Sequence, residues 1–309
     1  MKNTIKVFGI IALVAVIGFS MACGGGDNGD NTGGNTGGNT GGNTGGNTGG
    51  NTGGNTGSNT FTSIADFRTW LNAQPANTAA TAYRVKLNIS DLGGTSNTDG
   101  SLGNALITNL TKGVSLDLSG SILTSIGSQA FLKCYGLTSV IIPNSVTSIG
   151  SQAFRDCLYL TSVNIPNGVT GIGEQVFSGC KSMTGVTIPN SVTYIGNSAF
   201  SVTGLSSVTI PSSVTSIGTT AFSSTNLTSI TIPNSVTRIG VSAFKNCTKL
   251  TSVTFQGTII AENLVSSGQI NPFEGDLRDK YLAGGIGTYT TTTPVPADID
   301  NWKPVWTKK

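Results

Sequence analysis

Side chains able to do covalent or acid–base chemistry are scarce in this chain of 309 residues, and their types exclude more than they offer. There is no histidine, so no Ser-His-Asp triad, Cys-His dyad or His-ligated zinc site can be assembled. Of the five cysteines, Cys134, Cys157, Cys180 and Cys247 recur at one position of a repeated pattern. Equivalent side chains in a stack point the same way, side by side. With no Cys-x-x-Cys pair, these thiols read as small buried hydrophobes rather than disulfides or metal ligands. Between Leu123 and Phe255 the only carboxylates are Asp156 and Glu174, in different copies and different parts of the pattern. They do not form the facing pair that glycoside hydrolysis needs. Gly284-Gly-Ile-Gly287 lacks the Gly-Lys-Ser/Thr of a phosphate loop and reads as a turn. The expectation is a non-enzymatic chain with no catalytic residue, no metal and no cofactor.

Charge restricts the partners. Lys+Arg 17 against Asp+Glu 14 leaves +3, too little for a nucleic-acid surface. Five basic residues, Lys133, Arg155, Lys181, Lys245 and Lys249, fall near the cysteine slot and are expected along one ridge. That ridge would fit an anionic partner such as a glycosaminoglycan or an acidic protein patch, but the solubilising charge of an outer loop is the preferred reading.

The element that must position all of these is an internal repeat. Ile-Gly recurs at Ile126, Ile149, Ile172, Ile195, Ile217 and Ile239. One full unit reads Ile126-Gly-x-x-Ala130-Phe131-x-x-Cys134-x-x-Leu137-x-x-Val140-x-Ile142-Pro143-Asn-Ser-Val146. Two units lose one residue between Phe and Leu, at Phe200 to Leu205 and Phe222 to Leu227. Val140 and Ile142 alternate as in a half-buried strand, with copies at Val163/Ile165, Val186/Ile188, Val208/Ile210, Ile230/Ile232 and Val253/Phe255. Proline after the strand (Pro143, Pro166, Pro189, Pro211, Pro233) removes a donor and stops it. No unit can bury this apolar face alone, but stacked units can. Six turns at about 4.8 Å predict a stack roughly 29 Å long.

Outward strand positions then form two polar columns. One holds Ser139, Ser162, Gly185, Ser207, Ser229 and Ser252; the other Ile141, Asn164, Thr187, Thr209, Thr231 and Thr254. They are the candidate binding face, nearly uncharged and therefore a poor fit for a specific small ligand.

The first residues look like an address. Lys2 and Lys6 precede the apolar run Val7–Phe19, too short to span a bilayer as a helix but suited to a signal peptide. Ser20-Met21-Ala22-Cys23 then resembles a bacterial lipobox, with Ser20 where leucine is usual. A lipidated Cys23 would anchor the chain to a membrane, since two or more acyl chains hold stably. From Asn31 the chain reads Asn-Thr-Gly-Gly through to Gly54, then Asn55-Thr-Gly-Ser58. With no apolar side chain to bury, this is expected to be a flexible tether, with an r.m.s. reach of roughly 33 Å and a contour limit of about 125 Å.

The repeat, Ile-Gly-x-x-Ala-Phe-x-x-Cys-x-x-Leu-Thr-Ser-Val-x-Ile-Pro-Asn-Ser-Val-Thr, resembles the BspA-like, Treponema-type leucine-rich repeats over about Val114–Phe255. Ala79–Ile89 and Val114–Gly120 are similar to the N-terminal cap of such proteins, and Tyr281–Tyr289 to their C-terminal cap. Local patterns agree with caps: Ser63-x-x-Asp66 as a capping box opening a short helix, a strand through Tyr83, Val85, Leu87 and Ile89, and a second helix through Leu102, Leu106 and Leu110. A terminal helix at Asp276–Leu282 would stop at Gly284-Gly285. The fold class is thus a repeat solenoid, predominantly β with short helical turns and small α+β caps. The expected organisation is a signal peptide over 1–22, tether 23–60, N-terminal cap 61–122, repeats 123–255, and C-terminal cap and tail 256–309. The lipobox-like Cys23, followed by Gly24 rather than the Asp that favours inner-membrane retention, points to an exported, lipid-anchored protein of the outer membrane or cell surface; the family resemblance implies binding by that surface. Its partners would be host extracellular-matrix or cell-surface proteins, or other bacterial surface proteins. A structural or antigenic module without a dedicated ligand is the alternative, and a surface hydrolase, disfavoured by the missing histidine and sparse carboxylates, is the third reading.

Overall fold

Stacking of phenylalanine rings sets the geometry of the body. In the computed structural model, which describes residues 59–264, 271–293, 295 and 303–309, Phe131, Phe154, Phe177, Phe200, Phe222 and Phe244 lie ring on ring. Their centroids are 5.1 to 5.5 Å apart and their planes within 14°. All six are buried. Their near-parallel planes follow the turn-to-turn repeat, which the backbone ladders hold near strand spacing. Each buried Phe contributes about 1.5–3 kcal/mol by burial, and each stacked pair about 0.5–1.5 kcal/mol more. Together with Ile126, Ala130, Leu137, Val140 and Val146 and their copies, the rings fill one continuous core.

Two sets of parallel strands enclose that core. The long-strand side begins in the N-terminal cap with a five-stranded sheet ordered Asn59–Phe61, Tyr83–Leu87, Val114–Asp117, Leu137–Ile141 and Ser162–Val163. It resumes with Ser229–Ile232 beside Ser252–Phe255. The other side is built from the two-residue strands at each Ile-Gly. Gly171–Ile172, Tyr194–Ile195, Ser216–Ile217 and Arg238–Ile239 form one ladder, and Ser125–Ile126 pairs with Ser148–Ile149. A third file runs through the turn carrying Phe. There, amides of alternate residues donate to the next turn, as in Gln129 to Ser151, Phe131 to Ala153 and Lys133 to Arg155. To aim those amides along the axis, two residues per turn take left-handed backbone. Examples are Gln129 (φ 57), Lys133 (φ 59), Val202 (φ 58) and Asn246 (φ 58).

Many of the recurring hydroxyls have structural work. Thr147, Thr193, Thr215 and Thr237 each send both amide and hydroxyl to the carbonyl of the threonine one turn earlier. Ser145, Ser191 and Ser213 donate likewise to Leu123, Val169 and Val192. Close approach requires the glycine after Ile in four of the six turns, at Gly150, Gly196, Gly218 and Gly240: a Cβ on Gly218 would stand 2.6 Å from the Asn197 amide nitrogen and the Gly196 carbonyl carbon.

The caps continue the stack. Ser63 caps the helix Ile64–Ala73, accepting from the Asp66 amide, and Arg68 ties this helix to Asp99, Ser101 and Asn104. The second helix is shorter than the leucine spacing implies: it covers Leu102–Ile107, and Leu110 lies beyond it, exposed, because Thr108 caps the last turn. At the other end a seventh turn is present without its signature. Leu264 bridges to Ile239 in the position of the next Ile, and Phe273 stacks on Phe244 at 4.7 Å and 3°. The helix Leu277–Gly284 ends at Gly285 (φ 68). Tyr281 and Tyr289 close the core over Phe255, and Gly287–Thr290 adds antiparallel to Ser252–Phe255.

Three outcomes follow for stability. Gly218→Ala is expected to cost about 1–3 kcal/mol by overpacking against the neighbouring turn. Gly127→Ala, where a Cβ meets nothing within 4 Å, should change it by no more than about 0.5 kcal/mol. Val202 is a β-branched residue in left-handed backbone with its side chain 42% exposed. Val202→Asn should therefore stabilise by about 1 kcal/mol, since Asn tolerates that conformation. Chemical denaturation of the three variants checks all of this.

Candidate functional site

The two outward columns do not form an unbroken surface. Between Ser162–Val163 and Ser229–Ile232 no strand forms on this side, so the strands expected at Val186/Ile188 and Val208/Ile210 are absent as ladder partners. One local cause is visible. The Asn164 side chain occupies both backbone groups of Ile142, its Oδ1 accepting from the Ile142 amide at 2.7 Å and its Nδ2 donating to the carbonyl at 3.0 Å. The ladder that began in the N-terminal cap ends there. Gly185, with its low strand propensity, opens the next rung.

The opened stretch is a shallow cleft of about 450 Å³, lined by Ser162, Thr187, Ser207 and Thr209 with Val186 and Val208 in its floor. Those two valines are only half-buried, whereas Val140, Val163, Ile230 and Val253 in the same file are buried. Four of the candidate face residues thus meet around an apolar floor. Others are engaged elsewhere. Ser139 is hydrogen-bonded to Ser115 at 2.6 Å. Ser229 and Thr231 stand in register with Ser252 and Thr254, and Thr254 pairs with Thr288 of the cap strand at 2.9 Å. Ile141 stays exposed beside the tied Asn164.

The basic residues sit on the turn that carries Phe and the loop after it. Lys133, Lys181, Lys245 and Lys249 lie at the surface there. Arg155 is half-buried, 3.6 Å from Asp156 and bonded to Gln175 at 3.2 Å, so its charge is partly answered within the protein. The membrane-anchoring candidate Cys23 lies outside the described residues.

The four repeat cysteines are buried and reduced. Each thiol donates to a backbone carbonyl: Cys134 to Gly103, Cys157 to Phe131, Cys180 to Phe154 and Cys247 to Phe222. In one shortened turn Thr203 sends its hydroxyl to the Phe200 carbonyl of its own turn at 2.8 Å, the equivalent of the acceptor that the Cys134, Cys157 and Cys180 amides satisfy in their turns. Thr225 meets Cys247 at 3.2 Å. In the Thr203 turn the loss of one residue is thus absorbed by exchanging an amide donor for a hydroxyl, whereas in the Thr225 turn the Cys247 thiol reaches the Phe222 carbonyl. Burial pushes all four thiols up from their ordinary range. Among the described residues no group of three or more His, Cys, Asp or Glu could hold a metal ion, and no helix is long and apolar enough to cross a membrane.

Geometry and comparison agree on the class of protein. Residues 124–251 and 215–266 match the BspA type leucine rich repeat region, in six copies; this array belongs to that family of leucine-rich repeats. No curated protein matches the chain. Among solved structures, a leucine-rich repeat protein from Bacteroides ovatus is 36% identical, with a TM-score of 0.42, over 42% of this chain and 34% of its own. A leucine rich cell surface protein from Faecalibacterium prausnitzii is 35% identical, with a TM-score of 0.39, over 46% of this chain and 45% of its own. The leucine rich repeat protein of T. pallidum is 30% identical, with a TM-score of 0.42, over 47% of this chain and 69% of its own. The chain thus spans less than half the length of the first two.

The raised thiols carry a prediction. In the native protein at pH 8, iodoacetamide should leave Cys134, Cys157, Cys180 and Cys247 unlabelled, and all four should label after unfolding, as peptide mapping will show. Because the folded values lie above the unfolded one, near 8.5, the stabilisation by the neutral thiols is complete below that pH. It falls as pH rises above it through the folded values. Melting temperature should therefore decline in alkali, less steeply in a Cys157→Ala, Cys180→Ala variant.

Proposed function

We propose that this chain is an exported, lipid-anchored bacterial surface protein whose solenoid makes protein contacts. Adhesion to host matrix, host cells or other bacteria is the use that best fits its parts. The observation that carries the reading is the order of those parts: a lipobox-like Cys23, an Asn-Thr-Gly-Gly run, then a leucine-rich-repeat stack. Cys23 fixes the chain to the membrane. The run, at roughly 33 Å of r.m.s. reach, lifts the stack clear of it. The stack presents a broad face of hydroxyls with a half-apolar cleft at its middle, lined by Ser162, Thr187, Ser207 and Thr209. A hydroxylated, uncharged face over a rigid core suits contact with a folded partner more than capture of a metabolite. The family resemblance and the surface description of the F. prausnitzii relative support the location.

Expressed in a bacterium that processes lipoproteins, the chain should partition with membranes, and Cys23→Ala should release it; unchanged partitioning would count against the anchor. External protease on intact cells should remove the repeat body. For contact, the protein on cells should retain one or more immobilised matrix or cell-surface proteins. Replacing Val186 and Val208 with Asp in the cleft floor should reduce that retention about tenfold or more. Retention of nothing across such a panel would favour a module with no dedicated ligand.

A further inference from the structure

The sheet at the Ile-Gly positions carries a second, chemically different site. A shallow cleft of about 370 Å³ opens over its strands, walled by Tyr194, Glu174, Asn197 and Arg238. Its floor is Ser216 with Gly196 and Gly218. The outward position before each Ile is Ser125, Ser148, Gly171, Tyr194, Ser216 and Arg238 in turn, so an aromatic ring and a guanidinium each occur there once. Register places them: Ser216 pairs with Tyr194 on one side and Arg238 on the other. The two large side chains therefore flank a serine-sized notch, two strand spacings or roughly 9.6 Å apart.

Three features keep the notch open. Gly171 leaves room for the Tyr194 ring, since a Cβ there would overlap the ring carbons. The ring consequently leans over the preceding rung instead of filling the notch. It remains 46% exposed although it stands on a well-packed strand. The glycines of the floor cannot gain side chains, because the preceding turn approaches too closely. The Asn197 side chain is fixed by accepting from the Thr219 amide at 2.9 Å, which leaves its amide NH₂ as a donor.

We propose that this cleft binds a neutral glycan. A pyranose ring offers an apolar C–H face and a rim of hydroxyls that both donate and accept. Tyr194 supplies the aromatic face for the first. For the second, Glu174 accepts, while Arg238 and Asn197 donate. One carboxylate and one guanidinium cancel, so the site selects neither an anionic nor a cationic ligand. A bare backbone floor is too polar for a lipid. The open ends along the strands let an oligosaccharide chain continue past the notch. The site lies on a different sheet from the hydroxyl columns and does not rest on the protein-contact reading.

The test is a titration of the full chain with neutral hexasaccharides of glucose, galactose, mannose and N-acetylglucosamine, followed by saturation-transfer NMR and calorimetry. At least one should bind at millimolar concentration or below. Tyr194→Ala and Arg238→Ala should each weaken it about tenfold, with melting temperatures unchanged, and Tyr159→Ala, at an exposed aromatic outside the cleft, should leave it intact. Gly171→Ser, which displaces the ring, should weaken binding as Tyr194→Ala does. The proposal is overturned if no member of the panel binds, if binding survives both Tyr194→Ala and Arg238→Ala, or if sialylated or sulfated glycans are preferred.

Discussion

An apolar face that only another copy of itself can cover governs this molecule. Each turn of about 22 residues presents a phenylalanine, several aliphatics and a small residue to the axis, and none of these can be buried within the turn. The next turn covers them at a rise near strand spacing, with the phenylalanine rings stacked one on another. Stability therefore comes from nearest-neighbour interfaces and grows with the number of turns. The end turns are the weak points. The N-terminal helices and the Phe255, Tyr281 and Tyr289 cluster exist to cover faces that would otherwise meet water.

The same rise dictates the polar composition. At each level the backbone must find partners one turn away, and wherever strand geometry does not supply them a side chain does. Threonine and serine hydroxyls, cysteine thiols and left-handed residues all satisfy carbonyls or aim amides along the axis. A surface rich in Ser and Thr is thus largely the outside of a hydrogen-bonding scheme. What differs from that scheme stands out: the Asn164 side chain that ends a ladder, the open rungs after it, and the single Tyr194 lodged over Gly171.

Much of this is legible in the order of residues. The Ile-Gly period, the alternation of Val140 and Ile142 and the terminating prolines identify a stack and its inward face, because periodicity in apolar residues maps directly onto burial. The cysteine file is legible for the same reason. The seventh turn is not, since Leu264 and Phe273 keep the core contacts while the Ile-Gly signature, which serves the turn, is lost. Nor is the break in the long-strand side: Val186/Ile188 and Val208/Ile210 have the same pattern as their paired neighbours. Leu110 also carries a helical spacing that the helix, capped at Thr108, does not use.

Sequence alone determined the repeat, the inward residues, the absence of histidine chemistry and the order of apolar leading run, low-complexity run and repeat body, because each is a property of local composition or period. Tertiary structure decided which outward residues act together. Columns that are equivalent by register become unequal once Asn164 caps Ile142 and the ladder opens. Tyr194, Glu174, Asn197 and Arg238, spread over 65 residues of chain, meet only because stacking brings one point of each turn within a strand spacing of the next. Burial follows from a residue's own chemistry and period, whereas a site depends on distances between turns that no single turn encodes.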